Sequence, residues 1–136
     1  MIISEKYPPN FKEIEKEFKL TGMEIFTYGN TIFNPNKREI DSALLAHELV
    51  HTGQQGDSPG NWWKLYLKDK AFRAYQEIPA YQMQYQTAQK HIKDRTRLHN
   101  YLKQLAINLS GETYGKMVSF QEAYDAIKKS KLFILK

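Results

Sequence analysis

The stretch Leu44-Leu45-Ala46-His47-Glu48-Leu49-Val50-His51-Thr52 contains His-Glu-x-x-His, a spacing from which chemistry can be read. On an α-helix, residues four apart share a face, with Cβ atoms about 5–6 Å apart. His47 and His51 can therefore direct two imidazole nitrogens at one metal ion. Glu48 lies one step round the helix, close enough to take a proton from an attacking water without being a ligand itself. A catalytic zinc needs three protein ligands and one open position, so a third ligand must come from another element. Glu77, in Tyr75-Gln76-Glu77-Ile78-Pro79-Ala80-Tyr81, is the best candidate, because small Ala80 would let its helix approach the histidines closely. Asp57, in a loop just after His51, and Asp69 compete for the role. His91 and His99 fall in a basic region with no acidic neighbour poised as a base. Were the two histidines plain core residues, Glu48 between them would need a partner of its own.

The elements around this stretch suit the chemistry. Asp41 is a good N-cap for a helix from Ser42 to about Gln55, with Gly56 just beyond its end. Leu44, Leu45, Leu49 and Val50 surround the histidines, which predicts a helix buried on most sides. Upstream, Asn10 with Glu13 reads as a capping box for a short helix carrying Phe11, Ile14 and Phe18, stopped by Gly22. Met23–Tyr28 and Thr31–Phe33 read as two strands joined at Gly29-Asn30, with Pro35 suiting an edge strand. Gln54 to Gly60 is polar and reads as a loop. A second helical region runs from about Asn61 to Lys93, and Pro79 predicts a kink or a fresh helix start. A third long helix carries Leu98, Tyr101, Leu102, Leu105 and Leu109 and ends at Ser110-Gly111. Ser119 and Glu122 form a capping box for a last helix. The apolar tail Leu132–Leu135 is expected to dock on the core. Trp62 and Trp63 read as packing residues, the Tyr-Gln alternation from Tyr81 to Gln86 as a mixed helix face, and His91 and His99 as exposed.

With 136 residues and no repeat, linker or low-complexity tract, the chain reads as one domain of residues 1–136. It has no cysteine, which excludes disulfide scaffolds, thiolate metal sites and a cysteine nucleophile. Any metal must be held by His, Asp or Glu. The N-terminus lacks the basic and apolar regions of a signal peptide, and no apolar run is long enough to span a membrane. The expectation is a soluble protein of a bacterial or host-cell cytoplasm, with no membrane partner. The net charge of +5 raises the question of nucleic acid. The densest basic group, Lys90, Lys93, Arg95, Arg97 and Lys103, reads first as a solvated helix face.

The string from Ala46 to Gln55, together with Glu77-x-x-Ala80-Tyr81, resembles the gluzincin metallopeptidases, particularly their minimal single-domain bacterial and phage forms. The resemblance covers about residues 31–85. It implies a zincin-like α+β fold, a small N-terminal hairpin and edge strand with a mainly helical remainder. It further implies Zn²⁺ held by His47, His51 and Glu77, with Glu48 as the base and residues 31–34 as an edge strand aligning an extended peptide or protein substrate. Where related small members often carry a second acid, this chain has Pro79. The reaction implied is metal-assisted peptide hydrolysis, and the tetrahedral oxyanion wants a second donor. Tyr81, one turn after Glu77, is the first candidate, followed by His99 and Tyr114. Two alternatives stand beside this reading. One is a non-catalytic protein on the same scaffold, and the other a nucleic-acid-associated protein using the basic segment 90–103.

Overall fold

The computed structural model describes residues 1–129, so the expected docking of Leu132–Leu135 lies outside the described residues. The chain runs through strand β1 (Ile2–Ser4), helix α1 (Phe11–Glu17), strands β2 (Phe26–Tyr28) and β3 (Thr31–Phe33), then helices α2 (Ser42–Gln55), α3 (Pro59–Lys68) and α4 (Lys70–His91). Helices α5 (Arg95–Leu109) and α6 (Phe120–Lys128) complete it, with a single 3₁₀ turn at Glu112–Tyr114 between them. The architecture is α+β, a small three-stranded sheet with a mainly helical remainder.

Gly29, at φ +63°, supplies the left-handed residue that lets β2 turn back into β3. The two strands pair antiparallel, with Thr27 opposite Ile32, while β1 adds parallel on the other side of β3, with Ile3 opposite Ile32. The strand order β1-β3-β2 makes β3 the centre of the sheet. The expectation that residues 31–34 form an edge strand is thereby corrected: the edge nearest the histidines is β2. A three-residue β1 has too little pattern to announce itself, and its partner is far away in sequence.

Asp41 caps α2 through Leu44 N at 2.8 Å, and Gly56 ends the helix. The burial of α2 differs from the apolar pattern expected. Its inward face is Ala43, His47, Glu48, His51 and Gln55, whereas Leu49 is 45% exposed. Polar groups go inside here because each meets a partner there. Gln55 accepts from Gly29 N at 2.6 Å and donates to the Thr27 carbonyl at 2.7 Å, bolting the hairpin to the helix. Gln54 and Gln55 are thus helical and not part of a loop.

A fresh helix start at Pro79, one of the two expected outcomes there, is also corrected. The helix break falls at Asp69, whose side chain caps α4 through Phe72 N at 3.0 Å, and α4 runs through Pro79 as one element. Pro79 is exposed, and Tyr75, whose carbonyl loses its donor, is 77% exposed, so water can take the donor's place. Asn10 occupies the cap position of α1 but its side chain makes no capping bond, and α1 ends at Phe18, well before Gly22. The Ser119–Glu122 capping box forms in both directions.

Two apolar clusters flank the α2–α4 pair. One joins Ile14, Phe26, Trp62, Trp63, Tyr66 and Leu67; the other gathers α4, α5 and α6 around Leu102, Leu105 and Leu109. Buried Arg73 ties the two sides together. Its guanidinium donates to the carbonyls of Tyr66 at 2.8 Å, Leu67 at 2.9 Å and Tyr114 at 2.7 Å. No described helix is long and apolar enough to cross a membrane.

Candidate metal centre

Helix α2 crosses α4 where Ala80 is fully buried, and the crossing brings His47, His51 and Glu77 together. His47 Nε2 lies 3.2 Å from Glu77 Oε1, and His51 Nε2 lies 3.3 Å from Glu77 Oε2. The three potential ligand atoms sit within 4.8 Å of one another, and all three residues are buried. Asp57 is exposed in the α2–α3 loop and Asp69 serves as a helix cap, so neither joins the cluster. His91 and His99 are exposed, and His99 faces Tyr124 on α6.

The hydrogen-bond partners of the imidazoles fix which nitrogen faces inward. Gln54 donates its amide nitrogen to the Gln76 carbonyl at 2.9 Å, and a carbonyl can only accept. The Gln54 oxygen must therefore be the atom 2.9 Å from His51 Nδ1, so Nδ1 carries the proton. His47 is held the same way, its Nδ1 2.9 Å from Gln84 Oε1, with Gln84 donating to the Tyr101 hydroxyl at 3.0 Å. Held by Nδ1 in this way, both imidazoles turn Nε2 toward Glu77, the arrangement by which outer partners orient metal-ligating histidines.

The charges point the same way. Glu48 and Glu77 are both buried, and neither pairs with a lysine or arginine among the described residues. Glu77 Oε1 is buried without a hydrogen-bond partner. Two buried carboxylates beside two imidazoles are costly unless positive charge sits among them. The donor set of two nitrogens and one carboxylate oxygen fits a divalent metal ion. Protons can play part of that role. Burial works against a charged His51, but the Glu77 carboxylate overcomes it and lifts the pKa to about 9. For Glu77, burial resists ionisation, while the facing His51 and His47 outweigh it and hold the carboxyl below its ordinary range.

Three residues that the sequence reading passed over complete the surroundings. The Tyr66 hydroxyl donates to Glu77 Oε2. Burial first, and then the Glu77 charge, pushes the Tyr66 pKa up, so it stays a donor. Thr27 of β2 donates its hydroxyl to Glu48 Oε1 at 2.8 Å, while Glu48 Oε2 lies 3.8 Å from His47 Nε2. Gln84 lies inside the expected mixed Tyr-Gln face. That face is corrected to a mostly buried one: Tyr81, Gln82, Gln84 and Tyr85 are all buried, and Gln82 donates to the Ala126 carbonyl at 2.9 Å. A signal was available in the series Glu77, Ala80, Tyr81, Gln84 and Ala88, which repeats at three and four residues like any inward helix stripe.

The Tyr81 and His47 rings meet edge to face, centroids 4.6 Å apart, and the Tyr81 hydroxyl meets the Tyr114 hydroxyl at 3.0 Å. Trp62 and Trp63 are buried packing residues, and Trp62 also contacts the His51 ring at 5.4 Å. A cavity of about 80 Å³ opens onto the cluster between β2 and α3, lined by Phe26, Thr27, His47, Glu48, His51 and Tyr114 among others.

Replacing Gln54 by Met keeps its length but removes the acceptor for His51 Nδ1. The expected result is a metal affinity about 10–100-fold weaker with folding retained, read by competition with a chromogenic chelator. Unchanged affinity would mean that Gln54 does not orient the imidazole.

No family model matches the chain, and comparison with curated proteins and with solved structures gives no match.

Proposed function

We propose that this chain is a zincin-like, zinc-dependent peptide hydrolase. The observation that carries the reading is the placement of Glu48. Its carboxylate stands beside the three-residue cluster, on the cavity, with one oxygen held by Thr27 and the other toward the ligands. Zinc bound there would supply Lewis acidity, polarising the scissile carbonyl and making water acidic enough to lose a proton near neutral pH. Glu48 accepts that proton and returns it to the leaving amine, a contribution usually worth about 10²–10⁴-fold. Strand β2 is the sheet's outer strand beside Glu48, but its Thr27 carbonyl is already taken by Gln55 at 2.7 Å and Trp63 at 3.0 Å, so a peptide substrate enters by the cavity and not as an added strand on β2. The Tyr81–Tyr114 hydroxyl pair supplies the donor for the oxyanion. Burial first, and then the Glu77 charge, raises both pKa values, so both remain protonated. Tyr114 lines the cavity over the cluster, whereas Tyr81 lines the cavity that adjoins it. His99 lies away from the cavities that reach the cluster.

The test is cleavage of a mixed peptide library by zinc-loaded protein, read by mass spectrometry. Cleavage that stops on chelation and returns with zinc supports the reading. No cleavage by fully loaded protein, or cleavage indifferent to chelation, sinks it and favours a non-catalytic metal protein.

A further inference from the structure

The cavity over the metal cluster is the first of three that adjoin. A second, of about 120 Å³, shares Glu24, Ile25, His47, Glu48 and Tyr114 with it and adds Arg38, Tyr81, Gln84 and Asn108. A third, of about 420 Å³, continues outward past Arg38, Tyr81, Asn108 and Tyr114. Arg38, an exposed residue, is thus the one arginine among the described residues that lines this groove, and it shares the second cavity with His47 and Glu48.

Its surroundings are built. Asn34, 5% exposed, accepts from Arg38 N at 3.0 Å and donates to the Arg38 carbonyl at 2.8 Å. The preceding Lys37 holds φ at +53°, a left-handed conformation uncommon for a residue with a side chain. Such local strain is kept where surrounding structure over-determines it, often at ligand-binding positions. The backbone of Arg38 is therefore set in advance. Its guanidinium, by contrast, makes no ion pair or hydrogen bond among the described residues. The nearby Glu24 carboxylate is already taken by Thr21 N, Thr21 Oγ1 and Gly22 N at 2.8–2.9 Å. A planar guanidinium with all its donors free matches the two oxygens of a carboxylate.

We propose that Arg38 forms a carboxylate-binding subsite beside the metal cluster, so that the ligands taken in this groove are peptides bearing an acidic side chain or a free C-terminal carboxylate close to the scissile bond. The substrate class rests on the hydrolase reading, while the subsite itself is a binding property. The test uses zinc-loaded protein and a set of octapeptides in which a single glutamate or glutamine is moved through each position, each made with a free or an amidated C-terminus. Binding is measured by competition against a labelled member of the set, and cleavage by mass spectrometry on the same samples. Glutamate at one position, or the free C-terminus, is expected to improve binding about two- to fivefold, in keeping with a charge-assisted pair at an exposed arginine. The preference should vanish in Arg38→Gln and invert in Arg38→Glu. A side-chain effect at one position identifies an acidic residue as the ligand; an effect of the terminus alone identifies the C-terminal carboxylate. Equal binding of acidic and neutral peptides overturns the subsite, as does a preference that survives Arg38→Gln. If the preference appears but no peptide is cut, the hydrolase reading fails and the subsite stands. If peptides are cut without preference, the reverse holds.

Discussion

Glu48→Gln protein is expected to keep its metal ion and lose peptide hydrolysis by about 10²–10⁴-fold in kcat, the range that positioned acid–base groups contribute. The substitution preserves shape. The glutamine oxygen can still accept the Thr27 hydroxyl that Glu48 Oε1 accepts at 2.8 Å. It leaves the three ligands alone, because Glu48 lies farther from His47 Nε2, at 3.8 Å, than Glu77 does, at 3.2 Å. Removing a buried negative charge that has no cationic side-chain partner should also leave the unfolding temperature unchanged or raised. The measurements are metal content per chain, thermal unfolding, and turnover of the best library peptide. Activity retained in the variant would take Glu48 out of the role of base. Loss of metal would instead place it among the ligands.

Stripping the metal should destabilise the protein by an amount that grows with pH. In the metal-free protein, His51 is raised from 6.5 to about 9, so its contribution is fully present below pH 6.5 and is lost as pH rises through 9. Glu77 is depressed below its ordinary 4.5, so its contribution is present above pH 4.5 and is lost as pH falls through its lowered value. Metal-free protein should thus be most stable between pH 4.5 and 6.5 and weaken toward pH 9, its unfolding temperature falling by roughly 5 °C or more. Metal-loaded protein should show the opposite trend, because the ion displaces the His51 proton and its apparent affinity rises about tenfold per pH unit below pH 9. Glu77→Gln should weaken metal binding by more than the roughly 10–100-fold that outer partners cost. It should also flatten the metal-free profile between pH 6.5 and 9, since His51 then has no facing charge at Glu77. A metal-free profile that is already flat or rising in wild type over that range would show that the His51–Glu77 pair does not form.

How much of this was legible in the chain depends on how local each cause is. The Asp41 and Ser119 caps, the Gly29-Asn30 turn and the His47–His51 spacing are short-range patterns, and each lies where its residues suggest. Strand β1 was not legible, because Ile2–Ser4 becomes a strand through pairing with residues almost thirty positions away. Pro79 starts no fresh helix because one of its costs, the carbonyl left without a donor, is met at exposed Tyr75, where water can take the donor's place. The burial of Gln55 and Gln84, and the half-burial of Gln54, could not be read from polarity, which argues for solvent. Their partners, the Gln76 carbonyl, Gly29 N and the Tyr101 hydroxyl, come from other turns and other elements. Glu77 stood out because the motif upstream demanded a third ligand; Tyr66, which donates to it, had no such demand attached.

The three-carbonyl hold of Arg73 separates what titrates from what anchors. Arginine stays charged across the whole range over which His51 gains and loses its proton. Its partners are backbone carbonyls, which do not titrate at all. The turn carrying Tyr114 is therefore fastened to the α3–α4 junction by a pH-indifferent rivet. Protonation or deprotonation at the His47–His51–Glu77 cluster therefore leaves these three bonds untouched, and the turn carrying Tyr114 is expected to stay in place whether or not the cluster holds an ion.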